Sequence, residues 1–210
     1  MTRDAQATRQ RLLSAAADEF AAHGIAGARV DRIAAAAGSN KAQIYHYFGS
    51  KERLFDAVLD SIVRRAAAEV PIDVGDLPAY AGRLFDRYED DPRVARLAIW
   101  YRLERADPPK RIDALSSAIE DELTQIRRAQ AAGLLPSVRQ PVDLLNLVLH
   151  MSFLWAFVFP ELESQVAKTS RSHRRRVVTD AVRMMLGPSV APGGGLALPV
   201  SGGETPASQA

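Results

Sequence analysis

The segment between residues 40 and 48 places polar and aromatic side chains on one face of a predicted helix. Ile44, Tyr47 and Phe48 recur at intervals of three and four, so they are expected to face inward. The outward positions then hold Ala42, Gln43, Tyr45 and His46. Small, polar and aromatic side chains of these types can contact base edges and phosphate groups. The segment is therefore a candidate surface for binding nucleic acid.

A second short helix precedes this segment and is separated from it by a glycine turn. Its apolar positions form a single stripe of Val30, Ile33, Ala34 and Ala37. Gly38 can adopt the positive φ that reverses the chain, and Asn40 can cap the following helix. Two short helices joined in this way form a helix-turn-helix. The same pattern also fits an ordinary helical hairpin, so the turn by itself leaves both interpretations open.

Residues 44–54 favour the helix-turn-helix, because this run resembles the tetracycline-repressor (TetR) family of bacterial transcription regulators. The residues that carry the resemblance fall into place without a gap: Ile33, Ala34, Ala37, Gly38, Ile44, Tyr45, Phe48, Lys51 and Leu54. The resemblance covers about residues 5–65. Two places depart from the family pattern, since Ser39 replaces an apolar residue and Ala28-Arg29 replaces a threonine cap.

The resemblance implies a DNA-binding transcription regulator, most often a repressor. Members of the family act as homodimers on palindromic double-stranded operators and are released by a small-molecule effector. Carried over by position, the residues expected at the DNA are Arg29, Asn40, Lys41, Ala42, Gln43, Tyr45, His46, Tyr47 and Lys51. Lys51 is expected at a helix N-terminus, where its charge and the backbone amides can meet a phosphate.

Helical periodicity recurs along the rest of the chain, whereas sustained strand alternation does not, so an all-α fold is predicted. A first helix is expected to end at His23 before a Gly24 cap, and a fourth to start behind a Ser50 cap. Later helices are expected near residues 77–88, 92–106, 111–132, 141–159 and 170–186. The predicted organisation comprises an N-terminal three-helix head (residues 5–65, with the helix-turn-helix at about 28–48), a helical effector-binding and dimerisation domain (residues 70–187) and a disordered tail (residues 188–210).

Composition and residue spacing argue against several other kinds of functional site. The 210-residue chain contains no cysteine, which excludes disulfides, thiolate metal ligands and cysteine nucleophiles. Its net charge is only +2, so composition alone does not indicate nucleic acid. No spacing typical of catalytic groups, metal ligands or a phosphate-binding loop occurs, so we expect neither an enzyme nor a cofactor. Acidic runs such as residues 120–122 are interpreted as solvated, and the lack of a secretory signal favours the cytoplasm.

Residues 141–159 are apolar around the whole circumference of the predicted helix. The segment does not resemble a membrane span. Asp143, Asn146 and His150 interrupt it, and the longest uninterrupted apolar run is too short to cross a bilayer. A helix that is apolar on every face must be covered on every face, which indicates a partner subunit. The residues expected at a dimer interface are Leu145, Leu149, Val178, Val182 and Met185. Core packing within one chain is the alternative.

Aromatic and weakly polar residues concentrate in the middle helices and could enclose a largely apolar effector. The expected wall residues are Phe85, Tyr88, Trp100, Tyr101, His150, Met151 and Trp155. Tyr101 or His150 would orient the ligand. Each of the seven could equally be an ordinary core residue, and His150 could be a hydrogen-bonded interior histidine.

A helical small-molecule binding or carrier protein is the alternative from another functional class. In such a protein the head would have lost specific operator recognition. The side chains of Lys41, Gln43, Tyr45, His46 and Lys51 are all retained. Their retention favours the regulator.

Overall fold

The computed structural model describes residues 3–104 and 111–187. Every regular element in those residues is helical, which confirms the predicted all-α fold. The helices are α1 (Arg3–Gly27), α2 (Val30–Ala36), α3 (Lys41–Phe48), α4 (Lys51–Glu69), α5 (Leu77–Asp90), α6 (Pro92–Glu104), α7 (Asp113–Ala131), α8 (Pro141–Ser152), α9 (Pro160–Val166) and α10 (Arg171–Leu186). Among these residues no helix is long and apolar enough to cross a membrane, and no group of acidic and histidine side chains is placed to hold a metal ion. The tail at 188–210 lies outside the described residues.

Side-chain caps set the starts of α3 and α4. Asn40 accepts a hydrogen bond from the Gln43 amide at 2.9 Å, and Ser50 accepts one from the Arg53 amide at 3.2 Å. Both bonds confirm the predicted caps. Each satisfies an amide that has no partner within its own helix. The caps therefore decide where the two helices begin and which residues each of them exposes.

Two groups of buried apolar side chains hold the helices together. The first group contains residues of α1, α2, α3 and α4, together with Leu97 of α6 and Ile112 just before α7. Its centre includes Phe20 and Phe55, whose rings meet edge to face with centroids 5.1 Å apart. The second joins α5, α7, α8 and α10. The N-terminal helices are thus packed directly on α6 and α7 and are not merely attached to them through α4.

Helix α6 lies along α1 and approaches it closely at Gly24. Gly24 has φ +68° and ψ −176°, a conformation almost restricted to glycine. A Cβ atom there would overlap a carboxylate oxygen of Glu104 and would lie 2.8 Å from the Trp100 ring. The Glu104 carboxylate accepts hydrogen bonds from the amides of Ile25 and Ala26 at 3.1 and 2.9 Å. The predicted break at Gly24 is therefore also the place where α6 docks.

The predicted helix over residues 141–159 is wrong in its length. Helix α8 ends at Ser152, and a 3₁₀ helix follows at Leu154–Phe157. Within that turn Trp155 donates its indole N–H to the Arg174 carbonyl at 3.3 Å. The apolar periodicity of the segment contains no information about this partner on α10. The early end of α8 is therefore a tertiary effect.

Replacing Gly24 with alanine should destabilise the protein more than replacing Gly133. Both glycines have positive φ, +68° and +73°, so both substitutions add backbone strain. That strain costs about 1–2 kcal/mol. Only at Gly24 does the new methyl group meet α6, because no described atom lies within 4 Å of a Cβ placed at Gly133. Thermal unfolding followed by circular dichroism should show the larger fall in Tm for Gly24→Ala, and equal falls would contradict the close approach.

Candidate nucleic-acid interface and internal cavity

The turn between α2 and α3 has Gly38 at φ +59°. The Ser39 amide donates to the Ala34 carbonyl at 2.9 Å, which closes the end of α2. Lys41, at the start of α3, forms an ion pair with Asp31 of α2 at 2.6 Å. Both side chains of that pair are more than half exposed, so it contributes little to stability. The crossing of the two helices therefore depends mainly on the turn and on buried apolar contacts.

The outer face of α3 is open to solvent. Its exposed residues are Ala42, Gln43, Tyr45 and His46. On the opposite face Ile44 and Phe48 are buried in the first core. The Ser39 hydroxyl donates to the side-chain oxygen of Gln43, which restrains Gln43 at the N-terminal end of the face. The structure thus brings the residues predicted to face outward onto one accessible surface.

Three other residues predicted at the DNA also have roles within the head. The Asn40 side chain is the cap of α3. The Arg29 amide donates to a Glu19 carboxylate oxygen at 2.8 Å, while the Arg29 side chain is exposed. Tyr47 is half-buried against the first core, with its ring centroid 5.4 Å from that of His46. Arg29 alone of these three presents a charge at the surface.

Glu19 of α1 anchors the start of α2. Its carboxylate accepts hydrogen bonds from the Arg32 guanidinium at 2.8 Å and from the Arg29 amide. Burial alone would raise the pKa of the Glu19 carboxyl, but the hydrogen bonds from Arg32 and Arg29 bring that pKa below its ordinary value. The carboxyl is therefore ionised at neutral pH. Its contribution to stability is present there and is lost as the pH falls through the lowered pKa.

Lys51, which was predicted to meet a phosphate, also has partners within the head. Its ammonium group donates to the carbonyl oxygens of Ala26 and Ala28, both at 3.2 Å. Carbonyls at the end of a helix carry partial negative charge and favour a nearby cation. Lys51 therefore ties the start of α4 to the end of α1. Two of the three donors of the ammonium group therefore have partners within the head, and the phosphate contact of Lys51 stays a prediction.

An apolar cavity of about 190 Å³ lies between α4, α5, α6, α7 and α8, and we call it the central cavity. Two of the predicted wall residues, Tyr88 and Tyr101, line it. Leu149 of α8, which was predicted at a dimer interface, lines it as well. Its apolar lining suits a ligand that is itself largely apolar.

Glu122 and Tyr80 supply polar groups to the central cavity, and neither belongs to the predicted wall. The Tyr80 hydroxyl donates to the Glu122 carboxylate at 2.9 Å. Burial raises the pKa of Glu122, and burial together with this carboxylate raises the pKa of Tyr80. The interpretation of residues 120–122 as solvated is wrong for Glu122. The sequence did contain a signal that Glu122 faces inward, because this residue continues the apolar stripe of Leu115 and Ile119 at helical spacing.

The two tryptophans predicted in the wall lie elsewhere. Trp100 donates its indole N–H to the Ala21 carbonyl at 3.3 Å and packs on α1. Adjacent positions on a helix point about 100° apart, so Trp100 faces away from the cavity that Tyr101 lines. Trp155 borders an adjoining depression between α5, α6 and the 3₁₀ helix, which shares Tyr88, Ala95 and Phe153 with the central cavity. Both predictions for tryptophan are therefore wrong for the central cavity.

The remaining predicted wall residues are also outside the central cavity. Phe85 is buried in the second core and borders the same depression as Trp155. Met151 packs against the second core. His150 is exposed on an outer groove, with its Nδ1 atom 2.7 Å from the Asn146 carbonyl oxygen, so it is not an interior histidine. Periodicity identified these residues as candidates but could not tell which helix each one faces.

Most residues predicted at the dimer interface are covered by their own chain. Leu145, Val178 and Val182 are 3%, 1% and 0% exposed. Met185 is partly buried against the same core. The apolar stripe of α10 that was predicted to face a partner subunit packs on α5 instead. The predicted interface residues on α10 are therefore wrong. The exposed large apolar residues of α8, the 3₁₀ helix, α9 and α10 are Val142, Leu154, Phe157, Leu162, Val177 and Met184.

Comparisons with known proteins identify relatives along most of the chain. Residues 12–58 match a family model described as bacterial regulatory proteins, tetR family, and residues 76–184 match one described as tetracyclin repressor-like, C-terminal domain. HTH-type transcriptional repressor SCO4008 of Streptomyces coelicolor is 37% identical over 163 residues, which are 77% of this chain and 84% of that protein. HTH-type transcriptional regulator RutR of Escherichia coli K12 is 30% identical over 162 residues, 74% of each chain. A solved structure of the regulator SCO4942 of Streptomyces coelicolor has a TM-score of 0.77 at 40% identity and covers 86% of this chain and 98% of that one.

These relatives are named as regulators and not as enzymes or carriers. The two family models together cover both the helix-turn-helix and the C-terminal helices. The comparisons therefore favour a DNA-binding regulator over the carrier protein that was the alternative from the sequence.

Replacing Lys51 with methionine should lower the stability of the protein by about 1 kcal/mol, because two hydrogen bonds from a partly buried charged donor are lost. Lys41→Met is the matched control, since Lys41 forms only an exposed ion pair. That control should change the stability by less than about 0.5 kcal/mol. Denaturant unfolding of both variants measures the difference, and equal effects would show that Lys51 does not hold α4 to α1.

Proposed function

The chain belongs to the TetR family of DNA-binding transcription regulators, and on that premise we propose that it is a homodimeric repressor released from a palindromic operator by a small, largely apolar effector. The observation that carries the proposal is the position of α6. This helix borders the central cavity on one side and α1 on the other. An effector in the cavity would therefore touch the same helix that packs against the N-terminal head.

In this proposal α3 enters the major groove of the operator. Its exposed face offers the Gln43 amide and the Tyr45 and His46 rings to base edges and phosphates. The exposed charges of Arg29 and Lys41, at the starts of α2 and α3, would meet phosphates. Two heads related by a two-fold axis would occupy half-sites roughly 34–36 Å apart, or somewhat more.

The effector response would pass through neighbouring residues of α6. Tyr101 lines the central cavity, whereas Trp100 and Glu104 contact α1 around Gly24. A ligand that displaces Tyr101 would thus change the position of the head relative to the domain of residues 70–187. The ligand can shift the equilibrium between two head spacings only by its differential affinity for them. The repressor would leave the operator when the favoured spacing no longer fits the half-sites.

We propose that the dimer forms through the faces of α8 and α10 that the single chain leaves exposed. On α10 the exposed positions are Val177 and Met184, and the half-buried Ala181 lies between them at helical spacing beside the buried Val178. Val142 of α8 is also more than half exposed. Two such faces brought together would cover apolar surface that is costly to leave in water. The resulting four-helix interface is the one that the family resemblance implies.

Gln43→Ala should relax the sequence preference of the protein at one base pair by about 1–3 kcal/mol. Binding sites selected from genomic DNA by the purified protein would first define the operator. Affinity for single-base variants of that operator would then be compared between the wild type and Gln43→Ala. The matched control is Gln125→Ala, which removes an exposed glutamine from α7. A profile of base preference that is the same for all three proteins would contradict the proposed role of α3.

Met184→Glu should give a folded monomer, because it places a carboxylate on the exposed stripe of α10. Met184→Leu, which keeps the stripe apolar, should leave the protein dimeric. Val178→Glu instead buries an uncompensated charge and should lower the stability of each subunit by about 3–5 kcal/mol. Light scattering and circular dichroism separate these outcomes. A dimeric, fully helical Met184→Glu protein would rule out this interface.

A further inference from the structure

The central cavity has a lining whose chemistry suits one class of ligand. Four aromatic rings share it with one carboxylate: Tyr80, Tyr88, Tyr101, Phe153 and Glu122. The other described lining residues are aliphatic, apart from Arg87. Burial and the Glu122 charge raise the pKa of Tyr88 to about 12, so its ring stays neutral. The faces of neutral aromatic rings attract cations, most strongly where water is excluded.

Glu122 brings a carboxylate to this lining beside Tyr80, whose ring already has the Arg83 guanidinium 5.9 Å from its centroid. Its carboxylate accepts the hydrogen bond from Tyr80, and among the described residues it forms no ion pair. Burial raises the pKa of the carboxyl, and the hydrogen bond from Tyr80 offsets only part of that effect. A ligand that supplied a positive charge would remove part of that cost.

Arg87 is the other charged residue on the described lining, and its charge already has a partner. The guanidinium forms an ion pair with Glu69 at the end of α4. An anionic ligand would have to compete with that carboxylate. One donor of the group is still available, because the Arg87 Nε atom is buried without an acceptor among the described residues. An anion is therefore the competing ligand class.

We propose that the central cavity binds an alkylated organic cation, with the charged nitrogen between the Glu122 carboxylate and the rings of Tyr80 and Tyr88. This inference rests on the proposed role of the cavity as the effector site and names the chemical class of the effector. The cavity volume of about 190 Å³ is enough for a compact ligand. Tyr101 and Phe153 add ring surface for the apolar part of the ligand.

Three probes of similar size separate charge from shape. Phenyltrimethylammonium is the cation, tert-butylbenzene is its neutral carbon analogue, and 3-phenylpropanoate is an anion. Titration calorimetry with the full chain, in the absence of DNA, measures the affinity for each probe. The cation should bind about tenfold more tightly than the neutral analogue, or better, since the carboxylate and the aromatic rings both attract the positive charge.

Two glutamate variants test whether Glu122 carries that preference. Glu122→Gln should reduce the affinity for the cation to that for the neutral analogue, because the glutamine oxygen can still accept from Tyr80 but has no charge. Removing a charge whose burial is unfavourable should not lower the Tm. Glu120→Gln lies on the same helix with its side chain 63% exposed and should keep the preference. If Glu122→Gln fails to fold, the comparison of the cation with the neutral analogue in the wild type still decides.

Equal affinity for the cation and the neutral analogue, or binding of none of the three probes, would overturn the inference. Tighter binding of 3-phenylpropanoate would overturn it in favour of an anion at Arg87. A separate gel-shift assay on the selected operator tests the effector role. If the cation binds through Glu122 but does not release the operator, the ligand class stands and the proposed release mechanism fails. If the neutral analogue binds more tightly and releases the operator, the mechanism stands and the cation is excluded.

Discussion

The close approach of α6 to α1 at Gly24 is the contact on which the arrangement of the whole molecule depends. Only a residue without a Cβ atom leaves room there for the Glu104 carboxylate and the Trp100 ring. The break at Gly24 frees the amides of Ile25 and Ala26, and a charged acceptor satisfies both of them. Leaving such amides without acceptors in a contact between helices would be costly. The head is therefore oriented on the C-terminal helices by specific hydrogen bonds as well as by apolar packing.

Within the head, strong and weak interactions have separate positions. Helix α3 has eight residues, too few to be stable by itself, so it depends on the burial of Ile44 and Phe48. The charged contacts of its outer face, such as the pair of Lys41 with Asp31, are exposed and weak. Such pairs can be exchanged for contacts with DNA at little cost. A buried inner face and a solvated outer face together make α3 suitable as a reading helix.

In the central cavity, unlike on the outer face of α3, a charged group is buried, because the Glu122 carboxyl lies next to apolar walls. The raised pKa of Glu122 means that the folded protein holds this proton more tightly than the unfolded chain does. The group therefore lowers stability as the pH rises through its titration range. A molecule that binds only the folded protein recovers stability in proportion to its affinity. Glu122 is therefore a locally unfavourable residue within the C-terminal helices.

Most of the helices, the helix-turn-helix and its exposed face were predictable from the sequence, because they follow from contacts three or four residues apart and from local caps such as that of Asn40. The early end of α8 and the short α9 were not. The sequence also contained enough motif residues to indicate the family. The tertiary structure alone decided that Val178 faces α5, that Lys51 is bound to the end of α1, and that Glu122 reaches the cavity. Periodicity states that a stripe is apolar but not which surface covers it. Those answers depend on how helices far apart in the chain pack together, and only the folded molecule contains that information.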